Sequence, residues 1–91
     1  MYLHLGQETV VRFEDIVGIF DIETSSIGRI TRRYLDQAEK ELRVTNVSNE
    51  LPKSFVVCRE ENNIRVYISQ ISTATLKKRA VTTDRMMRSI D

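Results

Sequence analysis

The sequence predicts an α+β domain: a small, mostly antiparallel sheet of about six short strands, one long helix and a short basic helix near the C-terminus. Two observations carry this prediction. Strand-like segments come in consecutive runs, in the order β-β-β-α-β-β-β-α, and do not alternate strictly with helices. A chain of 91 residues is also long enough for one hydrophobic core, but it is near the lower end of independent stability.

The best-defined part of the chain is a β-hairpin. Residues 53–59 and 64–70 are rich in β-branched and aromatic side chains, and 60–63 forms a four-residue loop in which Asn suits a left-handed backbone. Apolar residues at every second position give the second strand one buried face. The first strand is apolar on both faces at its centre. This is expected of an interior strand, or of one that another subunit covers.

A short helix is predicted directly after the hairpin, over residues 73–80. Ser72 is a candidate N-cap, and Ile71 and Leu76 have the spacing of a hydrophobic staple around that cap. The basic residues 77–79 then fall in the last turn, where positive charge suits the helix dipole.

Strand patterns before the hairpin cover residues 1–5, 10–13, 16–22 and 43–47. Gly18 interrupts the third of these, and a glycine inside a strand indicates a bulge or a close approach of another backbone. At the other end of the chain, residues 81–91 show no clear period. We therefore expect a single domain over 1–80 and a flexible C-terminal tail over 81–91.

The long helix is predicted over residues 27–42, with candidate N-caps at 24–26. Its apolar stripe has helical spacing and consists of Ile27, Ile30, Tyr34, Leu35, Ala38 and Leu42. The opposite side carries Arg29, Arg32, Arg33, Asp36, Lys40 and Arg43. Opposite charges four positions apart (Arg32–Asp36, Asp36–Lys40, Glu39–Arg43) offset one another. The simplest interpretation of this side is therefore a solvated helix face.

Composition narrows the class of protein. No apolar run is long enough to cross a bilayer, and no signal peptide is predicted at the N-terminus. A single cysteine, Cys58, cannot form an internal disulfide and suits a reducing cytoplasm. His4 is the only imidazole, and neither residue has further ligands at metal spacing, so we predict no enzyme activity, no metal and no cofactor. Cys58 is expected in the core, and His4 at a sheet surface or a subunit contact.

The net charge of +1 argues against a chain that binds nucleic acid strongly on its own. Residues 76–91 nevertheless carry a local charge of +3, because five basic residues face two acidic ones. The candidate DNA-binding residues are Lys53, Lys77, Lys78, Arg79, Arg29, Arg32 and Arg33. For residues 77–79 the plainer interpretation is a charged helix end that favours its own dipole.

Self-association is the way in which such weak patches would become effective. Two helices cannot cover both faces of the predicted sheet, and the apolar surface left over would be buried between subunits. A closed ring repeats one basic patch around its rim, so that weak phosphate contacts add up to useful avidity for double-stranded DNA. Binding of this kind depends on salt, and its sequence preference comes from DNA shape more than from base edges.

Four segments resemble a known family: MYLHLG at 1–6, DIVGIFD at 15–21, PKSFVV at 52–57 and STATLKKRA at 72–80. Together they are similar to the RemB branch of the bacterial extracellular-matrix regulators, over roughly residues 1–80. The related RemA branch comprises small DNA-binding regulators that activate biofilm-matrix and osmoprotection genes and form rings, heptamers among them. The resemblance thus implies a cytoplasmic, non-enzymatic, ring-forming transcriptional regulator.

One segment departs from the RemA pattern. In that branch, two adjacent arginines just before the strand that matches residues 53–58 are implicated in DNA contact. Here Glu50 and Leu51 occupy that stretch, and only Lys53 keeps a basic side chain nearby. Two hypotheses follow: the protein is a DNA-binding regulator of matrix genes that uses another surface of the ring, or it is an oligomeric adaptor that has lost DNA binding and binds a protein partner.

Overall fold

The predicted α+β class and element order are confirmed. The computed structural model describes residues 1–22 and 28–90, without the side chains of residues 31 and 82–90. The predicted caps at 24–26 and the stripe residue Ile27 lie outside the described residues. The elements are β1 (Tyr2–Gly6), β2 (Thr9–Arg12), β3 (Ile16–Asp21), α1 (Gly28–Lys40), β4 (Val44–Asn46), β5 (Ser54–Glu60), β6 (Asn63–Ser69) and α2 (Thr73–Ile90). A single 3₁₀ turn, Phe13–Asp15, leads into β3.

The six strands form two sheets and not the single sheet that the sequence predicts. One is the two-stranded β1–β2 hairpin, and the other has four strands in the order β3-β5-β6-β4. All pairs are antiparallel except β4 and β6, which are parallel. The chain therefore passes from the edge strand β4 across to the interior strand β5, and it returns as β6 beside β4.

Strand β5 is an interior strand, buried on both faces. Val56 and Cys58 belong to a core that also includes Leu3, Leu5, Val11, Val47 and Leu76. Phe55 and Val57 belong to a second core with Ala38 and Val66. The β1–β2 hairpin and α2 therefore cover one face of the four-stranded sheet, and α1 covers the other.

The hairpin turn is tighter than the four-residue loop of the sequence prediction. Glu60 pairs with Asn63 across the strands, so only Glu61 and Asn62 form the turn. Both have positive φ values, 49° and 71°. This is the pattern of a type I′ turn, whose twist matches that of the two strands. The left-handed Asn expected from the sequence is thus Asn62.

The bulge expected at Gly18 is present, as a register shift between Ile16 and Gly18 in the β3–β5 pairing. The close neighbour is a side chain and not another backbone. A Cβ atom at Gly18 would lie 2.5 Å from Cζ of Phe20. The ring of Phe20 in turn stacks on Phe55 at a centroid distance of 5.1 Å. Gly18 therefore leaves room for a ring that extends the α1-side core to the edge of the sheet.

Helix α1 ends at Lys40, two residues before the predicted end at Leu42, and the described part of its apolar stripe is only partly buried. Ala38 is fully buried, whereas Ile30 is 75% exposed and Leu42 is 83% exposed. The helix ends at Lys40 in a Schellman motif: the N–H of Arg43 donates to the carbonyl of Ala38, and Leu42 adopts a φ of 59°. The chain leaves the helical path there. The predicted inward position of Leu42 and the predicted Glu39–Arg43 pair are therefore both wrong.

Helix α2 begins as the sequence predicts. The Oγ atom of Ser72 accepts the N–H of Thr75 at 3.2 Å, as an N-cap does. Leu76 is fully buried, and the partly buried Ile71 packs against the same core. This is the staple that the spacing predicts.

The predicted end of α2 at residue 80 is wrong, because the helix continues to Ile90. Residues 81–90 contain no Gly or Pro that would stop it. Residues 77–79 consequently lie in the second turn, and the predicted interaction with the C-terminal end of the dipole is absent, since that effect is confined to the terminal turns. The division into a domain over 1–80 and a flexible tail over 81–91 stays a prediction.

Two buried serines form hydrogen bonds that connect the four-stranded sheet to β1 and to the segment before α2. The Oγ atom of Ser69 donates to the carbonyl of Leu5 at 2.7 Å and accepts the N–H of Ile71 at 3.0 Å. The Oγ atom of Ser54 donates to the carbonyl of Ile71 at 2.7 Å. Both side chains are fully buried, so each hydrogen bond satisfies a group that water does not reach.

We expect Ser69→Ala to lower the free energy of unfolding by about 1–3 kcal/mol, because it leaves the Leu5 carbonyl and the Ile71 N–H without their buried partner. Ser48→Ala is the matched control: its Oγ accepts the N–H of Glu50 at an exposed position, and its loss is expected to cost about 0.5 kcal/mol or less. Urea unfolding monitored by circular dichroism measures both. Equal effects of the two substitutions would contradict the role assigned to Ser69.

Candidate nucleic-acid interface

The basic triplet Lys77-Lys78-Arg79 lies on the exposed side of α2, beside β1. All three side chains are exposed. Leu76, the residue before them, is fully buried and fixes the rotation of the helix against the core. The Nη1 atom of Arg79 donates to the carbonyl of His4 at 3.1 Å. The triplet is therefore carried by a capped, anchored segment and not by a loop.

Lys53 lies close in the fold to the start of α2. Its backbone N–H donates to the carbonyl of Ser69 at 2.9 Å, and its own carbonyl accepts the N–H of Ile22 at 3.1 Å. The next residue, Ser54, bonds to Ile71 directly before the α2 cap. The exposed Lys53 side chain thus extends from the strand end to which α2 is attached.

The second predicted group, Arg29, Arg32 and Arg33, lies on α1 with exposed side chains. Because α1 and α2 pack on opposite faces of the four-stranded sheet, one chain does not join this group to the triplet on α2. The expected Arg32–Asp36 and Asp36–Lys40 ion pairs are not formed within the described part of α1. Arg43 instead pairs with Glu41, with Nε 2.8 Å from Oε2, and lowers the pKa of that carboxyl group.

The loop that carries Glu50 forms one wall of a polar groove of about 740 Å³. Glu8 in the β1–β2 turn and Glu50 in the loop both line it. The backbone N–H of Glu50 donates to Oγ of Ser48 at 3.0 Å, which fixes the turn that carries the carboxylate. Negative charge from both segments disfavours phosphate at this position.

A second cleft, of about 670 Å³, was not foreseen from the sequence. Its lining includes Tyr2, Val10, Arg12, Asp15, Glu41, Leu42, Arg43, Glu60, Glu61, Ile64 and Arg65. The lining carries charges of both signs, and Arg12 forms ion pairs with Glu14 and Asp15. Glu60, which also lines the cleft, accepts a hydrogen bond from the hydroxyl of Tyr67 at 2.6 Å. Burial and this contact raise the pKa of Tyr67. Because the lining comes from several separate segments, no local sequence pattern reveals it.

Cys58 and His4 are not brought together. Cys58 is fully buried, whereas the exposed His4 donates through Nε2 to the carbonyl of Gln7 at 2.6 Å. Burial, with Glu60 and Asp15 nearby, raises the pKa of the Cys58 thiol to about 12, so it is a poor nucleophile. Among the described residues, no group of three His, Cys, Asp or Glu side chains is placed to hold a metal ion.

We expect Ellman's reagent at pH 8 to label Cys58 only after unfolding, because a thiol with a pKa of about 12 is ionised there to about one part in ten thousand. Protein denatured in guanidinium is the positive control for labelling. Rapid labelling of the native chain would show that Cys58 is accessible and reactive.

The same shift in the pKa of Cys58 implies alkaline destabilisation. The unfolded thiol ionises from about pH 9, whereas the folded thiol stays neutral until about pH 12, so the free energy of unfolding falls as the pH rises between these values.

No helix within the described ranges combines the length and the apolar character that a membrane span requires.

Comparison with known proteins identifies the family. The profile described as "RemA-like: Extracellular matrix regulatory protein A-like" matches residues 2–80. The chain is also 42% identical over 80 residues to Extracellular matrix regulatory protein B of Bacillus subtilis (strain 168). The aligned residues cover 88% of this chain and 90% of that relative. The matched description names a regulatory protein and not an enzyme. The chain therefore belongs to the RemA-like family of extracellular matrix regulatory proteins.

Proposed function

We propose that this protein is a cytoplasmic, DNA-binding transcriptional regulator of extracellular-matrix genes that acts as a ring-shaped homo-oligomer. Family membership supports the regulatory role. The observation that supports DNA as the partner is the basic triplet on α2: three successive cations on a capped helix, anchored by a buried leucine and exposed to solvent. Because the cap and the buried leucine hold this part of α2 in place, the entropic cost of each phosphate contact is low.

The proposed binding mode is backbone contact repeated around the ring. With a net charge of +1, one chain supplies few phosphate contacts, and each contributes little at physiological salt. Identical subunits in a closed ring present the same contacts several times, and tethering raises their effective concentration. Lys53, next to the start of α2, extends the triplet. Arg29, Arg32 and Arg33 form a separate group on the other face of the sheet.

A second candidate function is an oligomeric adaptor that binds a protein and not DNA. The observation that favours it is the polar groove in which Glu8 and Glu50 both lie. If DNA crossed the ring at this loop, as the resemblance to the RemA branch implies, two carboxylates per subunit would face phosphate. The two functions differ in one measurable property, the retention of duplex DNA at low salt.

We expect Lys77→Ala/Lys78→Ala to weaken DNA binding and to flatten its salt dependence, with the slope of log K against log salt falling by about 0.9 for each phosphate that the variant no longer neutralises. Arg79 is kept because its bond to the His4 carbonyl is structural. Gel retardation of duplex DNA across a salt series measures the effect. The matched control, Lys40→Ala/Arg59→Ala, removes the same charge from exposed positions elsewhere. Equally weakened binding in both variants, or no retardation by the wild type at low salt, would contradict the proposal.

Substitutions in the loop that carries Glu50 and Leu51 test whether bound DNA passes this loop. We expect Glu50→Arg, alone or with Leu51→Arg, to strengthen binding and to steepen the salt slope by about 0.9 for each additional phosphate neutralised. Glu39→Arg, an equal change of charge at an exposed position on α1, is the control. Fluorescence anisotropy with a labelled duplex gives both values. Unchanged affinity of the loop variants, with a wild type that binds, would exclude this loop from the DNA path.

A further inference from the structure

We propose that His4 contacts DNA phosphate beside the basic triplet, and that its protonated ring strengthens DNA binding as the pH falls from 8 to 6. This inference rests on the proposed function and deepens it, because it adds a contact whose charge depends on pH to a surface of permanent charges. His4 is not among the candidate DNA-binding residues that the sequence predicts. From the sequence it is expected only at a sheet surface or a subunit contact.

Strand β1 places the imidazole on the outside of the molecule. Leu3 and Leu5 are buried in the core, and His4 between them is exposed, as the alternation of side chains along a strand requires. The β1–β2 hairpin and α2 lie over the same face of the four-stranded sheet. Their solvent-exposed sides therefore point away from the sheet in the same direction. The ring of His4 and the side chains of residues 77–79 consequently share one side of the molecule.

A direct hydrogen bond connects β1 to the triplet. The Nη1 atom of Arg79 donates to the carbonyl of His4 at 3.1 Å, although the two residues are 75 positions apart in the sequence. The guanidinium thus lies against the backbone of the residue that carries the imidazole. The bond uses one of the five N–H donors of a guanidinium, and the Arg79 side chain is exposed. A phosphate that reaches Arg79 therefore comes close to His4.

The ring of His4 is held by a second hydrogen bond. Its Nε2 atom lies 2.6 Å from the carbonyl oxygen of Gln7, and a carbonyl oxygen only accepts, so Nε2 carries the hydrogen. In the neutral ring Nδ1 is then an acceptor, which does not bind phosphate. A further proton is taken up at Nδ1, where it creates a second donor and gives the ring a positive charge. The protonated ring therefore binds phosphate without giving up its bond to Gln7.

The carbonyl that holds the ring belongs to an anchored turn. Gln7 begins the two-residue connection between β1 and β2, with a φ of 49°. Gly6, directly before it, lies against the side chain of Gln70, since a Cβ atom at Gly6 would be 2.8 Å from Oε1. The carbonyl of Leu5 accepts the hydroxyl of Ser69. The turn is thus tied to the end of β6, and a ring that is positioned before DNA binds keeps the entropic cost of the contact low.

The charges around the ring favour phosphate. The charged and titratable groups on β1, the turn, β2 and α2 are the α-amino group of Met1, Tyr2, Glu8, Arg12 with its partners Glu14 and Asp15, Lys77, Lys78 and Arg79. Directly opposite His4 on β2 is the uncharged Val10. Glu8 lines the polar groove with Glu50, whereas His4 lines neither that groove nor the cleft. Apart from the ion-paired Arg12, three cationic side chains stand against one carboxylate, and a protonated ring adds a further cation.

Proton binding and phosphate binding are then coupled. A phosphate beside the ring favours its charged form, and by reciprocity the charged form binds phosphate more tightly. Imidazole is the side chain whose charge ordinarily changes between pH 5 and 8, and His4 is the only histidine in the chain. Lowering the pH through this range therefore adds one cation per subunit to the DNA-binding surface. Because α-amino groups also titrate near pH 8, the test has to separate the two groups.

The test measures DNA binding at pH 6 and pH 8 by fluorescence anisotropy with a labelled duplex across a salt series. We expect tighter binding at pH 6, with a slope of log K against log salt that is steeper by about 0.9 for each His4 that contacts a phosphate. His4→Gln should remove this difference, because an amide donates to the Gln7 carbonyl but does not become charged. His4→Arg should bind at pH 8 as tightly as the wild type binds at pH 6. Both variants keep the α-amino group.

Lys77→Ala/Lys78→Ala is the control, because it should bind more weakly at both pH values and still keep the difference between them. Equal slopes of the wild type at pH 6 and pH 8, or a pH dependence that persists in His4→Gln, would overturn the inference.

Light scattering at both pH values separates a phosphate contact from a subunit contact. We expect the same molar mass at pH 6 and pH 8. A change in mass that His4→Gln abolishes would assign the ring to assembly and overturn the phosphate contact. A wild type that does not bind duplex DNA at either pH would contradict the proposed DNA function and this inference with it, whereas binding that is independent of pH would contradict this inference alone.

Discussion

The structure depends on the burial of β5 from both sides. Val56 and Cys58 face the β1–β2 hairpin and α2, whereas Phe55 and Val57 face α1. An interior strand of this kind needs apolar residues at every position, and the sequence provides them between Phe55 and Cys58. Since each helix covers a different face, the two groups of basic residues are held apart in a single chain. Weak, separated charge is therefore a consequence of how the core is built.

The attachment of α2 illustrates how core chemistry places a surface feature. Ser69 joins β1 to the segment before the helix, Ser54 bonds to the same segment, and Leu76 fills the core. The residues that follow Leu76 must therefore face solvent, because a helix buries one side only. The position of the basic triplet is thus set by three buried contacts, none of which involves a charged group.

Local chemistry was predictable from the sequence, and contacts between distant segments were not. The Ser72 cap, its staple and the Gly18 bulge depend on residues a few positions apart, and each is present. The periodicity of α1 misplaced Ile30 and Leu42, because helical spacing identifies a stripe but not how much of it the neighbouring strands cover. Two sheets appeared in place of one, since strand pairing is decided by tertiary packing.

The candidate site divides in the same way. The sequence identified the exposed basic residues on α2, but it did not show that Arg79 bonds to β1 or that Ser54, the residue after Lys53, bonds to the segment before the same helix. Nor did it reveal the cleft, whose walls come from segments far apart in the chain.

The apolar residues that remain exposed connect these observations. A nearly neutral chain gains little from any one cation, so its affinity for a polyanion depends on how many copies act together. In the proposed ring, the interface that holds copies together would control DNA binding more strongly than any single phosphate contact, because dissociation into monomers would abolish the whole repeated set at once. Exposed apolar side chains through which copies would associate are therefore as central to the proposed regulator as the lysines of α2.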